Sequence, residues 1–237
     1  MKKEKFNQLM LFLECMTYFL FFLFFLYAQI RNPFSPEEAN IIYIAFIALT
    51  FGYLYVFEFF FPKHDLAVHW KMFRRFHQPT GRKLNPSEYK RKGLAGVAVS
   101  WALYLLAVGL AKHAGILTWQ VFLMGACVMF IFNSFFTRKT CLLSVLFLKN
   151  HNHCCKNCGI NCWDYFIFST ALFFAPSLSA AATVINYLII IISFVTFVVW
   201  EYMYHKYPER FYPKTNKALF CVYCEKQCKN RYRGPDQ

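Results

Sequence analysis

From Leu9 to Ile30 the chain runs for 22 residues with one charged side chain, Glu14. A bilayer core about 30 Å thick is crossed by roughly 20 apolar residues in a helix. Three further stretches meet that length: Ile41 to Phe61, Leu94 to Ala111 and Ile116 to Phe136. The last apolar block, Trp163 to Met203, holds 41 residues. One helix of that size would be about 60 Å long, twice the bilayer. The run Ala175-Pro176-Ser177-Leu178-Ser179 supplies a turn in its middle, so the block reads as two spans. The expectation is an all-α polytopic membrane protein, with six transmembrane helices forming three helical hairpins. The spans fall at about 9–30, 41–61, 94–111, 116–136, 163–178 and 182–203.

Composition agrees. Of 237 residues, 58% are hydrophobic, 30 are Phe and only 16% are charged. Soluble domains carry about 25% charged residues, and a chain this short cannot hide so much Phe in one water-soluble core. Disorder and collagen-like repeats are excluded. The first span follows Lys2, Lys3 and Lys5, as a secretion signal would, but it is longer than a signal's apolar region. The Gln29-Ile30-Arg31-Asn32-Pro33 that follows lacks a small-x-small cleavage pattern, so the sequence predicts a retained helix.

Basic residues orient the spans, because short cytoplasmic loops are enriched in Lys and Arg. The N-terminus has three, the loop 62–93 nine, the loop 137–162 four and the tail 204–237 eight. Alternate loops thus carry 24 of the 26, leaving only Arg31 and Lys112 opposite. Both termini are therefore expected in the cytoplasm of a multi-pass protein of the cell (plasma) membrane. The chain reads as one integral membrane domain carrying a basic loop, a Cys-rich loop and a Cys-rich tail. The net charge of +14 reads as a topological label, and no specific nucleic-acid binding is expected.

Ten cysteines are the second constraint. Cys155, Cys158 and Cys162 have the spacing C-x2-C-x3-C, preceded by Cys154, His151 and His153, and Cys221, Cys224 and Cys228 repeat it. The predicted hairpin between the two triads returns its ends to one face of the membrane. Cytoplasmic thiols stay reduced, which disfavours disulfides. A C-x2-C pair suits a four-thiolate zinc site or an iron–sulfur cluster. Cys155, Cys158, Cys221 and Cys224 would complete a zinc knot, whereas the third cysteines, Cys162 and Cys228, favour a cluster. Lys156, Lys226 and Lys229 would lower thiol pKa values for either metal. Cys15 and Cys127, inside spans, read as packing residues.

Asp65 to Gln78 places Leu66, Trp70 and Phe73 at helical spacing, with Lys71 and Arg75 on another face. This suits an amphipathic helix lying on anionic headgroups, or an entrance for an anionic lipid, quinone or phosphorylated substrate. Glu14, Glu58 and Glu201 lie inside spans and Asp164 opens the fifth. Acids at membrane depth are costly, which makes these four candidates for a proton relay or cation site, or else for interfacial salt bridges. No H-E-x-x-H, P-loop or dinucleotide-binding fingerprint is present.

Three functions fit. The first is a structural or binding metal module, with a lipid or cytoplasmic protein partner. The second is a redox protein passing electrons between an iron–sulfur centre and a membrane quinone. The third is a metal-ion transporter, which the scarcity of polar residues at mid-membrane counts against. Whether the chain is an enzyme is left open.

Overall fold

The computed structural model describes residues 3–52, 77–81, 83, 93–138, 161–176, 178–212 and 215–217. Among them every regular element is a helix: α1 (Lys3–Arg31), α2 (Pro36–Gly52), α3 (Leu94–His113), α4 (Trp119–Arg138), α5 (Asn161–Thr170) and α6 (Ala180–Lys206). Short 3-10 turns follow α5 (Ala171–Phe174) and α6 (Pro208–Phe211). Three segments are long and apolar enough to cross a membrane: Leu11–Arg31, Leu94–His113 and Ala180–Lys206. The apolar part of α4, Trp119–Phe132, is shorter.

Local chemistry sets the helix ends. Asn32 takes a left-handed backbone with φ of 42° and Pro33 follows, which stops α1. Ser35, Pro36 and Glu38 then start α2 as a capping box. The Glu38 carboxylate accepts the Ser35 backbone N–H at 2.8 Å, and the Ser35 hydroxyl accepts the Glu38 N–H at 3.4 Å. Gly115, with φ of 71°, closes α3 as its N–H donates to the Lys112 carbonyl at 3.0 Å. Thr118 caps α4 by accepting the Val121 N–H at 3.3 Å, so this helix begins at Trp119 rather than at the expected Ile116. Ser179 is extended and caps α6 by accepting the Ala182 N–H at 3.1 Å.

The block from 163 to 203 is interrupted where the sequence predicts, although α5 ends early. Pro176 disfavours a helical residue before it. The chain tightens into the 3-10 turn and leaves it at Ala175 with ψ of 146°. Beyond that turn α5 and α6 lie side by side. Phe166 stacks on Phe197 at 5.0 Å, the hydroxyls of Ser169 and Ser193 share a hydrogen bond, and Phe173 meets Tyr187 at 5.7 Å. Rising numbers on α5 meet falling numbers on α6, so the two run antiparallel.

Helix α1 packs most closely on α4, distant in sequence. Tyr18 stacks on Phe130 at 5.2 Å and Phe25 meets the edge of Trp119 at 6.2 Å. Phe46 of α2 joins Phe25 at 5.2 Å. The core around Phe25, Tyr43, Ile47, Leu123 and Cys127 is fully buried, which agrees with a packing role for Cys127. Inside it the Tyr43 phenol and the Asn186 carboxamide bond to each other. Elsewhere the described residues leave much apolar surface uncovered. Phe12, Leu20, Leu49, Leu103, Leu110, Leu188 and Ile191 are among many large apolar side chains left exposed, far beyond the patches that soluble monomers tolerate.

Three short connections gather at one end of the bundle. The Thr118 hydroxyl donates to Gln29 Oε1 at 2.7 Å, Ser179 donates to Asn40 Oδ1 at 2.7 Å, and Lys112 Nζ reaches the Phe173 carbonyl at 3.4 Å. Each bond joins a different pair of elements, so the turns after α1, α3 and α5 are stitched together.

Candidate metal centre and the loop–tail junction

Cys155 and Cys158 of the first triad, and Cys221, Cys224 and Cys228 of the second, lie outside the described residues. Cys162 falls in the first turn of α5. Among the described residues no group of three or more His, Cys, Asp or Glu side chains is gathered as a metal site. Of the four acids, Glu58 also lies outside the described residues, and Asp164 is placed on α5 by its helical backbone. Glu14 is half-buried on α1. Glu201 is engaged: its Oε1 accepts the indole N–H of Trp163 at 2.8 Å. Trp163 also packs its ring on Phe197 at 5.4 Å. The beginning of α5, next to Cys162, therefore sits beside the last turns of α6, from which the Cys-rich tail leaves.

Beyond α6 the structure contains a junction for which the sequence carries no periodic signal. The chain turns through Pro208–Phe211 and buries Phe211 against Trp200 and Tyr204, with ring centroids 5.0 Å from each. The Tyr204 and Tyr212 hydroxyls bond to each other at 2.5 Å. The tail then meets the middle of the basic loop. Thr80 N–H donates to the Thr215 carbonyl at 3.1 Å, Lys217 N–H donates to the Gln78 carbonyl at 2.7 Å, and Pro79 and Asn216 form an antiparallel bridge.

Asn216 is the hub. Its side chain is fully buried, accepts the Gln78 N–H at 3.2 Å and donates to the Arg210 carbonyl at 2.8 Å. Thr215 supports it by donating its hydroxyl to the carbonyls of Tyr212 and Glu209. The last described residue of the tail, Lys217, is thereby fixed four positions before Cys221.

Charge is concentrated here. The Arg210 guanidinium lies over the Tyr207 ring at 3.9 Å, a cation–π contact, and its Nε is 4.0 Å from Glu209 Oε1. His77 enters the same cluster. Burial, and then the positive charge of Arg210, hold its imidazole below the ordinary value of 6.5, against a smaller opposing effect of Glu209 and the Thr215 backbone. His77 Nε2 and Arg210 Nε are buried and have no hydrogen-bond partner among the described residues. The cluster can accept negative charge, and it holds an imidazole that is neutral near pH 7. The residue types Pro213 and Asn216, which favour turns, are the sequence hint of the junction, because its loop–tail pairings span more than 130 residues.

No family model, no curated protein and no solved structure matches this chain.

Proposed function

We propose that the chain is a multi-pass membrane protein of six spans in three helical hairpins, with both termini cytoplasmic. Its two C-x2-C-x3-C motifs bind one metal centre at that face, in a structural or binding role. The observation that carries this reading is the Trp163–Glu201 contact, which puts the segment following the first triad beside the segment preceding the second. The stitched turns support alternating helix directions, since three alternate connections share one end. The loop–tail junction adds a second restraint on the tail four residues before Cys221.

Physically, a thiolate-bound metal would bind the Cys-rich loop to the tail and release protons on binding, since only deprotonated Cys ligates. The basic loop 62–93 would rest on anionic lipid headgroups beside it. A redox reading is favoured by one feature, six thiolates where zinc takes four.

The test is metal and sulfide analysis of the full chain purified anaerobically in detergent, with its visible spectrum. Zinc in a colourless protein supports the structural site, and iron with sulfide and broad visible absorbance supports the redox alternative. Cys158→Ser with Cys224→Ser should abolish binding. Retention of metal by that variant, or no metal in the native chain, overturns the paired-triad reading. Accessibility of a C-terminal tag in sealed vesicles tests the topology separately.

A further inference from the structure

We propose that the cavity enclosed by α2, α3, α4 and α5 is a binding site for one acyl chain of a bilayer phospholipid. The inference rests on the membrane setting of the helices and is independent of the metal reading.

The cavity has a volume of about 300 Å³ and is walled by Ile47, Phe51, Tyr104, Phe130, Phe168 and Leu172, among others. That is within the range of small-molecule sites, about 300–1,000 Å³. Apolar cavities of about half this size already stay dry and take up hydrocarbons. Gly125 and Val128 of α4 also line it and are exposed, so this side is open. Leu106 and Leu110 of the neighbouring α3 are exposed too. On such a surface the medium at the opening is lipid hydrocarbon.

One observation separates this cavity from a packing defect, and a second concerns its wall. A glycine within a helix costs roughly 0.5–1 kcal/mol relative to alanine, so it calls for a reason. At Gly109 the reason is packing, because a Cβ there would stand 3.1 Å from the Phe174 ring. At Gly125 a Cβ would meet nothing within 4 Å. No neighbour requires this glycine, and its missing side chain keeps the cavity open.

The second observation is Trp101. It is 8% exposed, and its indole N–H is buried with no hydrogen-bond partner among the described residues. Its ring meets Tyr104 at 5.8 Å and Phe168 at 5.4 Å, and both line the cavity. A buried donor left unpaired costs about 1–3 kcal/mol. Trp101 is the eighth of the 20 residues of α3 and stands behind the cavity wall, outside its lining.

The experiment uses the full chain in nanodiscs containing phosphatidylcholine with a photoactivatable diazirine on one acyl chain. Labelled peptides are mapped by mass spectrometry. Labelling per residue on Val121–Phe130 should exceed that on the exposed face of α6, Leu188–Val199. In Gly125→Phe the α4 labelling should fall about fivefold, as blocking a preformed apolar site requires, with α6 unchanged. Equal labelling of the two surfaces, or α4 labelling unaffected in Gly125→Phe, overturns the proposal. Gly125→Leu serves the same purpose if the Phe variant does not fold. Absence of label on α6 would instead refute the membrane setting.

Discussion

The Asn186 carboxamide donates to the Tyr43 phenol oxygen at 2.9 Å, and the phenol lies 3.1 Å from Asn186 Oδ1, deep in an otherwise apolar core. These residues are 143 positions apart and tie α2 to α6. Each satisfies a group that would otherwise be stranded without water. Asn186→Leu should destabilise the protein by about 1–3 kcal/mol, because the phenol is left unpaired. Tyr43→Phe combined with Asn186→Leu should recover most of that loss. Thermal unfolding in detergent measures both, and strict additivity of the two changes would refute the coupling.

The fully exposed Glu38 carboxyl is held below its ordinary value of 4.5, first by the Ser35 backbone N–H and then by the Ser35 hydroxyl. A depressed folded-state value means that the cap is complete above pH 4.5 and is lost as pH falls through the lower folded value. An NMR titration should find Glu38 below 4.5. Ser35→Ala should move it upward, though only in part, because the backbone donor survives.

His77 is likewise held in its deprotonated form, which here is the neutral one. Its folded-state value is held below 6.5, so the unfolded chain binds the proton more readily. The loop–tail junction should therefore be at full strength above pH 6.5 and weaken as pH falls toward the folded value, then level off. Hydrogen exchange at the Thr80 and Lys217 amides reports this directly. His77→Phe should remove the pH dependence while retaining the packing.

Asn216→Ala removes two buried side-chain hydrogen bonds at once and leaves the Gln78 N–H and the Arg210 carbonyl without those partners. A cost of about 2–4 kcal/mol to the junction follows, at roughly 1–2 kcal/mol for each stranded group. Exchange at Lys217 should accelerate and trypsin should cut after it more readily. The same variant should weaken metal binding if the tail is held in place for the second triad. Unchanged metal affinity would show that the junction and the cysteines act independently.

Most of the helical layout is legible in the sequence because the apolar runs are long and their interruptions carry turn chemistry, as at Asn32-Pro33 and Ala175-Pro176. Helix ends are less so. Apolarity places the second span at Ile41, yet the Ser35–Glu38 capping box starts α2 five residues earlier at Pro36, using polar groups that an apolar count discards. The fifth span is expected to reach Leu178, but α5 gives way to a 3-10 turn after Thr170. The pairing of α1 with α4 depends on the fit of Tyr18 to Phe130 and Phe25 to Trp119, which no periodicity encodes. Of the candidate site, the partner of Glu201 could not be anticipated, since Trp163 is remote in sequence and reads as one more apolar residue. The junction at Asn216 was hidden for the same reason: its value comes from Gln78, in another loop.

The bonds from Thr118 to Gln29, from Ser179 to Asn40 and from Lys112 to Phe173 have a mechanical consequence. They bind the helices like a sheaf tied at one end. Any spreading of the bundle must pivot about that knot, and displacement grows with distance from it. The end that carries the loop–tail junction has the longest lever arm, so a fastening there governs how far the whole sheaf can open.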